Sequence, residues 1–507
     1  MTLITATSAA RFVASIGVNA SINYTDGKYA NIQTVLADLK YIGVSLIRTA
    51  AYVPGMQGQS AYNLAASQGI RFDMLLYANP APQTSVAQMA AFASAHPGAL
   101  VSIEGPNEIN NFGVAYRGLT GAAAAVSFQN DLFADIRANG VLNGTTVYSY
   151  TMNAGASSTT GYDVATIHPY AVNGAAPLSY LHNNLAAVPA AKPFAVTEAG
   201  YSSLGSASGG VDAHVQAIYD LDTLFDAHAA GAQSAFLYEL LDAYADPAGT
   251  LVGNHFGLFD IGNAPKPAAV ALHNLTQILG GGPASYSAGG LSWSITGADK
   301  TAGAMLLQKA TNLFDLVVWD EQPIWNSASH SEVAASTHTE ALRFARIMQT
   351  VAVYDPLLGT TPIATYHDVS SIALPLGADP LVVELTPVPT WTPAMDGARA
   401  ASKSIEATAS GMLIVGAAGD TITATGNRDT FALHAGFGNE TITGFVGGTA
   451  PADVIQFDKG LFDSFAAVQG AMHQVGDSVV ITYDAHDQLV LNHVGMAQLS
   501  ASNFLFV

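Results

Sequence analysis

From Ala14 to Gly280, short apolar runs alternate with stretches whose apolar residues recur every three or four positions. The runs are Ala14–Asn19, Gly43–Thr49, Arg71–Tyr77, Ala99–Glu104, Thr146–Thr151, Asp163–His168, Pro193–Glu198 and Gln233–Glu239, and each ends in a polar residue. Runs of that length, apolar along both faces, suit the buried strands of a parallel sheet. Between them Ile32, Val35, Leu36 and Leu39 share one helical face. Further helical stretches cover Val86–Ala95, Ala122–Ala138, Leu178–Ala187, Val211–Ala229 and Pro267–Leu279. Eight strands alternating with helices over about 270 residues predict a (β/α)8 TIM barrel. A doubly wound sheet produces a similar alternation. The barrel is assigned to residues 1–283, with the first few residues pairing with the domain that follows.

After the Gly/Pro-rich linker Gly280–Gly290 the pattern becomes β-like. Ala304–Gln308, Leu313–Trp319, Thr350–Tyr354, Thr361–Tyr366, Ser371–Pro375 and Leu381–Thr386 predict a β-sandwich over residues 284–390. A helix is predicted within it at His338–Met348, and a second linker at Pro387–Ala400. From Ser402 a glycine turn, an acidic residue and an apolar residue recur: Gly416-Ala-Ala-Gly-Asp-Thr-Ile-Thr, Gly426-Asn-Arg-Asp-Thr-Phe, Gly436-Phe-Gly-Asn-Glu-Thr-Ile-Thr. That recurrence predicts a parallel β-roll over residues 400–507, with carboxylates and turn carbonyls placed to hold calcium.

Strand ends in a parallel barrel carry its chemistry. The fourth run ends at Glu104 and continues Gly-Pro-Asn107-Glu108; the seventh ends Thr197-Glu198. Two carboxylates facing each other across a barrel mouth divide the labour of glycoside hydrolysis, one as acid and one as nucleophile. Either alone is more simply a solvated strand terminus. Asn19 and Asn23, Asn79 and Asn153 follow other strands, placed to bond hydroxyls or to make turns.

Asn107-Glu108 after strand four and Glu198 after strand seven resemble the retaining glycoside hydrolases of clan A. The string Glu104-Gly-Pro-Asn-Glu-Ile-Asn110 is similar to members near glycoside hydrolase family 39. The resemblance spans roughly residues 14–388 and implies that Glu108 is the acid/base and Glu198 the nucleophile. It places Asn107 against the sugar 2-hydroxyl, Arg48 beside Glu198, Tyr170 as a donor to Glu198, and His168 and Glu239 within reach of sugar. Glu239 has a second reading as a partner of Arg48, and Glu104 one as structural support. The acid role implies a Glu108 pKa raised by burial and by Glu198. The chain departs from the clan in having no Trp within the barrel; Tyr24, Tyr52, Tyr77, Tyr201, Tyr238 and Tyr244 are the aromatic residues available to stack on sugar.

The tail resembles the RTX-type calcium roll and secretion region of bacterial proteins exported by type I systems. Asp420, Asp429, Glu440 and Asp453 are then the calcium ligands, and Asn503-Phe-Leu-Phe-Val507 an uncleaved C-terminal signal. Met1–Val18 lacks the features of a cleaved secretory leader. The resemblance implies a secreted bacterial enzyme whose partners are a carbohydrate substrate and the type I machinery.

Composition narrows the alternatives. Lys plus Arg number 17 against 38 Asp plus Glu, a net charge of −21, which opposes binding to nucleic-acid backbones. No apolar run reaches the ~20 residues that span a bilayer, so no membrane insertion is expected. There is no cysteine, which excludes disulfides and thiolate chemistry. Catalysis needs no cofactor under the hydrolase reading. A carbohydrate-binding or matrix protein that kept the barrel but not the catalysis is the alternative. A metal-dependent hydrolase would need clustered histidines, and only His168 stands at a strand end.

Overall fold

The computed structural model describes residues 3–51, 58–78, 81–152, 160–206, 209–282, 289–297, 301–387, 404–407, 411–416, 419–426, 428–448 and 451–507. Tyr52, Asn79, Asn153 and most of both predicted linkers lie outside them. The chain divides into two compact units. One holds Met1–Ala345, Val351–Tyr366 and Ser370–Leu385; the other holds Arg346–Thr350, His367–Val369 and Thr386–Val507.

The first unit contains an eight-stranded parallel barrel. Its strands are β1 (Ile16–Asn19), β2 (Leu46–Ala50), β3 (Arg71–Leu75), β4 (Leu100–Glu104), β5 (Thr146–Tyr148), β6 (Ala165–Ile167), β7 (Phe194–Ala199) and β8 (Ala235–Leu237). The ring closes between β8 and β1 and, through a parallel bridge from Tyr148 to Val164, between β5 and β6. The six predicted barrel helices form. Ile32–Ile42 buries Val35, Leu36 and Leu39 and stops at Gly43, whose φ of 70° suits a residue without Cβ. Ala213–Ala229 is capped by Asp212, whose carboxylate accepts from the N–H groups of His214 and Val215. Pro267 opens Pro267–Leu279, where its missing N–H costs nothing. Two further helices, Ala9–Ser15 and Gln59–Ser67, also form.

Beside the barrel lies an eight-stranded sheet. The short strands Leu3–Thr5 and Thr7–Ser8 join it, pairing with Gly290–Ser292 and with Leu307–Gln308. His338–Met348 is not a helix: it belongs to one strand, His338–Tyr354. Glu340, Leu342 and Phe344 are buried while Thr339, Arg343 and Ala345 are exposed or half-buried, the two-residue period of a sheet. Thr361–Tyr366 and Ser371–Pro375 likewise fall mainly in one strand, Ala364–Leu376. The hydrophobic core runs from the barrel into this sheet through Leu307, Val317, Trp319 and Val382.

The second unit is a parallel roll. Ser404–Ala407, Thr421–Ala424, Asn439–Thr443 and Gln488–Asn492 stack in one sheet; Leu413–Gly416, Thr430–Leu433, Val454–Phe457 and Phe504–Phe506 stack in the other. Ile422, Ile442, Phe431, Ile455, Phe457 and Leu489 fill the space between them. No described helix is long and apolar enough to cross a membrane.

Candidate active site

Strand register assembles the floor of the barrel mouth. Asn19, Arg48 and Asp73 lie side by side on β1, β2 and β3. Arg48 is 2% exposed, and each of its five N–H donors has an acceptor. Nε and Nη2 grip Glu104 at 2.6 and 3.0 Å, Nη1 donates to Asn19 Oδ1 at 3.0 Å and Glu198 Oε1 at 2.5 Å, and Nη2 donates to Asn107 Oδ1 at 2.8 Å. Burial works against this charge, but Glu104 and Glu198 outweigh it and hold the guanidinium above its ordinary pKa. Asp73, fully buried, is pushed well up by burial and by Glu104, which favours its neutral form. Its Oδ1 accepts from Ser102 at 2.7 Å.

Glu198 sits on β7 with Oε1 on Arg48 and Oε2 accepting from Tyr170 Oη at 3.0 Å. Burial, with Glu198 next in weight, raises the Tyr170 pKa, so the phenol stays a donor. Glu108 follows β4 in a left-handed backbone conformation, φ 39°. The loop after β5 holds it there: its N–H donates to Thr151 Oγ1 at 2.8 Å, and the Ile109 N–H donates to the Thr151 carbonyl at 3.0 Å. Oε1 of Glu108 meets His168 Nδ1 at 2.9 Å and Oε2 accepts from Asn111 at 2.8 Å. The expected rise in the Glu108 pKa is not found. The hydrogen bond from His168 outweighs burial, and Asn111 adds to it, so the carboxyl lies below its ordinary value.

Oxygens of Glu108 and Glu198 and a ring nitrogen of His168 lie within 4.8 Å of one another. Such a trio has the spacing of a metal site, but its ligand atoms are engaged. His168 holds Glu108 and Thr197, Glu198 holds Arg48 and Tyr170, and the Arg48 cation at 2.5 Å opposes a second positive charge.

The other predicted residues divide. Asn107 lines the mouth with Oδ1 accepting from Arg48 and Thr151, which leaves Nδ2 as its donor end. Tyr238 lines two cavities, each of which is also lined by Glu108 and Glu198. Tyr201 lines one of them, with its hydroxyl on the Ala175 carbonyl at 2.7 Å. Asn19 borders the mouth, but its amide is committed: Nδ2 to the carbonyls of Thr197 and Leu237, Oδ1 to Arg48. Glu239 has Tyr29 as a partner. It is buried and accepts from Tyr29 Oη at 2.9 Å, while the Arg48 donors go to other acceptors; burial raises its pKa to about 8. Tyr24, Tyr77 and Asn23 line the mouth, whereas Tyr244 bonds Asp26. Thr151, Asn111, Thr197 and Tyr29 escaped the sequence reading. Thr151 and Thr197 carried a signal as residues at strand ends, and Asn111 as a turn residue three positions beyond Glu108; Tyr29 carried none.

A cavity of about 280 Å³ lies over Arg48, Glu108 and Glu198. It shares Tyr77, Asn107 and Phe112 with a cavity of about 530 Å³. It shares Glu108, Glu198 and Tyr238 with another of about 630 Å³.

Of the four roll carboxylates named as calcium ligands, Asp429 and Asp453 bond backbone N–H groups. Asp420, Asp429, Glu440 and Asp453 are fully buried. Asp429 Oδ1 accepts from the Met412 N–H, and the two oxygens of Asp453 accept from the N–H groups of Asp429 and Val446, each at 2.8–2.9 Å. Asn503 Nδ2 continues the column to the Asp453 carbonyl. Among the described residues none of the four belongs to a cluster of three His, Asp or Glu side chains within reach of one ion.

Fold and site together define a (β/α)8 barrel followed by sheet-rich structure, with two carboxylates meeting at the barrel mouth. Among solved structures the chain is similar to a family 39 glycoside hydrolase from the gut symbiont Bacteroides cellulosilyticus WH2, at 13% identity and a TM-score of 0.51, covering 75% of this chain and 82% of that one. It is also similar to a family 39 enzyme from Xanthomonas axonopodis pv. citri, at 14% identity and a TM-score of 0.48, over 76% of this chain and 96% of that one. A monomeric beta-xylosidase from Caulobacter crescentus CB15 follows at 14% and 0.46, over 76% and 98%. The first likeness establishes a shared fold. No protein-family model and no curated protein sequence matches the chain.

Proposed function

We propose that this protein is a retaining β-glycoside hydrolase that cleaves a polysaccharide or oligosaccharide within the chain. The observation that carries the reading is an oxygen of Glu108 and an oxygen of Glu198 within 4.8 Å, in one cavity. Retention needs carboxylates ~5–5.5 Å apart, whereas inversion needs ~6.5–9.5 Å to admit a water. Glu198 attacks the anomeric carbon while Glu108 protonates the leaving oxygen. Glu108 then takes a proton from the water that releases the sugar. Asn107 Nδ2 donates to the sugar 2-hydroxyl. Support for internal cleavage comes from the two larger cavities, each sharing residues with the central one; a polymer needs room for sugar units on both sides of the broken bond.

Glu198→Gln and Glu108→Gln should each lower turnover by about 10²–10⁴-fold or more while leaving the circular dichroism unchanged. Proton NMR of the first products should show the β-anomer. Undiminished hydrolysis by Glu198→Gln overturns the reading. Glycan binding without release of reducing ends by the unaltered protein replaces it with the binding-protein alternative.

A further inference from the structure

Behind Glu108 the hydrogen bonds continue into the barrel wall. His168 Nδ1 faces Glu108 at 2.9 Å, and Nε2 of the same ring faces Thr197 Oγ1 at 3.0 Å. Thr197, fully buried, donates its hydroxyl hydrogen to Glu104 Oε1 across a long 3.4 Å. Both oxygens of Glu104 accept from Arg48, so that carboxylate is an acceptor here. The Thr197 oxygen therefore turns a lone pair toward His168. An imidazole whose Nε2 hydrogen is engaged in this way exchanges protons through Nδ1.

We propose that Thr197 is a positioning residue: it holds His168 in the Nε2–H form, so that His168 and Glu108 exchange one proton along the Nδ1–Oε1 line. This rests on the retaining-hydrolase reading. The return of the proton matters because the first step needs Glu108 as a carboxylic acid, and a carboxylate cannot act as one. In the exchange, the proton leaves Nδ1 and bonds to Glu108, giving neutral imidazole and a carboxylic acid. The acid passes it to the glycosidic oxygen as that C–O bond breaks and a Glu198 oxygen bonds the anomeric carbon. Water then attacks that carbon and the ester bond to Glu198 breaks. The water's proton goes to Glu108 and on to Nδ1, which restores the start. The other charged or titratable groups near the ring are Glu198, 3.8 Å from Nδ1, Tyr170, edge-on at 6.5 Å between centroids, and Glu104 with Arg48 behind Thr197. None of these stands between Nδ1 and Oε1. Without the Thr197 hydroxyl, the ring is free to carry its neutral-state hydrogen on Nδ1, where it bonds the carboxylate but supplies no acid.

The test compares Thr197→Val with Thr197→Ser, using dinitrophenyl β-glycosides of several sugars and the corresponding alkyl glycosides. The kcat/KM values report the first bond cleavage. Thr197→Val should lower kcat/KM on alkyl glycosides by about tenfold or more and move the alkaline limb of the pH profile. On dinitrophenyl glycosides, whose leaving group needs no proton, it should stay within about twofold. Thr197→Ser should restore both. Equal leaving-group dependence and pH profile in Thr197→Val and the unaltered protein overturn the proposal. A second measurement needs neither turnover nor a folded valine variant: 15N NMR of histidine-labelled protein, with the His168 signal assigned by its loss in His168→Gln. The neutral ring should show hydrogen on Nε2; hydrogen on Nδ1 overturns the proposal. Absence of turnover on every glycoside, with hydrogen on Nε2, overturns the hydrolase reading and not the role of Thr197.

Discussion

Arg48 assembles the site, because one planar fork fixes Glu198, Asn107, Glu104 and Asn19 at once. Lysine, a point charge with three donors, cannot reproduce that geometry. Glu239 shows the opposite device, a carboxyl kept near neutrality by burial. Its folded value of about 8 lies above its ordinary 4.5. Its contribution to stability is therefore complete below that ordinary value and is lost as pH rises through about 8. Glu239→Gln should flatten this decline, so that melting temperatures followed from acid to mildly alkaline pH diverge in favour of the variant. Parallel curves would show that Glu239 does not titrate with the fold. Much of this site was legible, since Asn107, Glu108, Glu198, Arg48, His168 and Tyr170 stand at strand ends that the apolar runs locate. Tyr29 was not: it reaches Glu239 from a loop far away in sequence, and nothing local marks it. The direction of the Glu108 pKa was hidden for a similar reason, as it depends on which ring nitrogen of His168 faces it.

At the level of elements, the roll is joined by carboxylate-to-backbone bonds from one coil to the next. The glycine-turn and acidic-residue recurrence that suggested ion ligands also encodes these bonds, and only the direction of the side chains separates the two. Asp453→Ala should leave the N–H groups of Asp429 and Val446 without acceptors, at about 1–3 kcal/mol for each orphaned group. Hydrogen exchange at those two amides should accelerate, and a chelator added to the unaltered protein should leave them unchanged. Chelator-induced exchange would show that the roll holds calcium. The strand His338–Tyr354 was misread because Glu, Ala, Leu, Arg and Met favour helices in isolation; pairing within the sheet overrides that preference. Gln59–Ser67 was passed over because its buried face consists of two alanines and a tyrosine, too little contrast for a periodic signal.

At the scale of the whole molecule, the barrel and most of the eight-stranded sheet fall in one compact unit with a common core. Trp319 is 2% exposed, packs on Phe225 and donates from Nε1 to Asp226 at 2.9 Å. Trp319→Ala should cost about 3–5 kcal/mol and lower the melting of barrel and sandwich together, as one calorimetric transition. A sandwich that melts apart from the barrel would refute the shared core. The closed shell of donors around Arg48 also constrains how this protein can change. A guanidinium with every hydrogen committed has nothing to offer an incoming uronate or sulfated sugar. Recognition of acidic glycans must therefore fall to a cation outside the centre, such as Arg117, which lines the adjoining cavity.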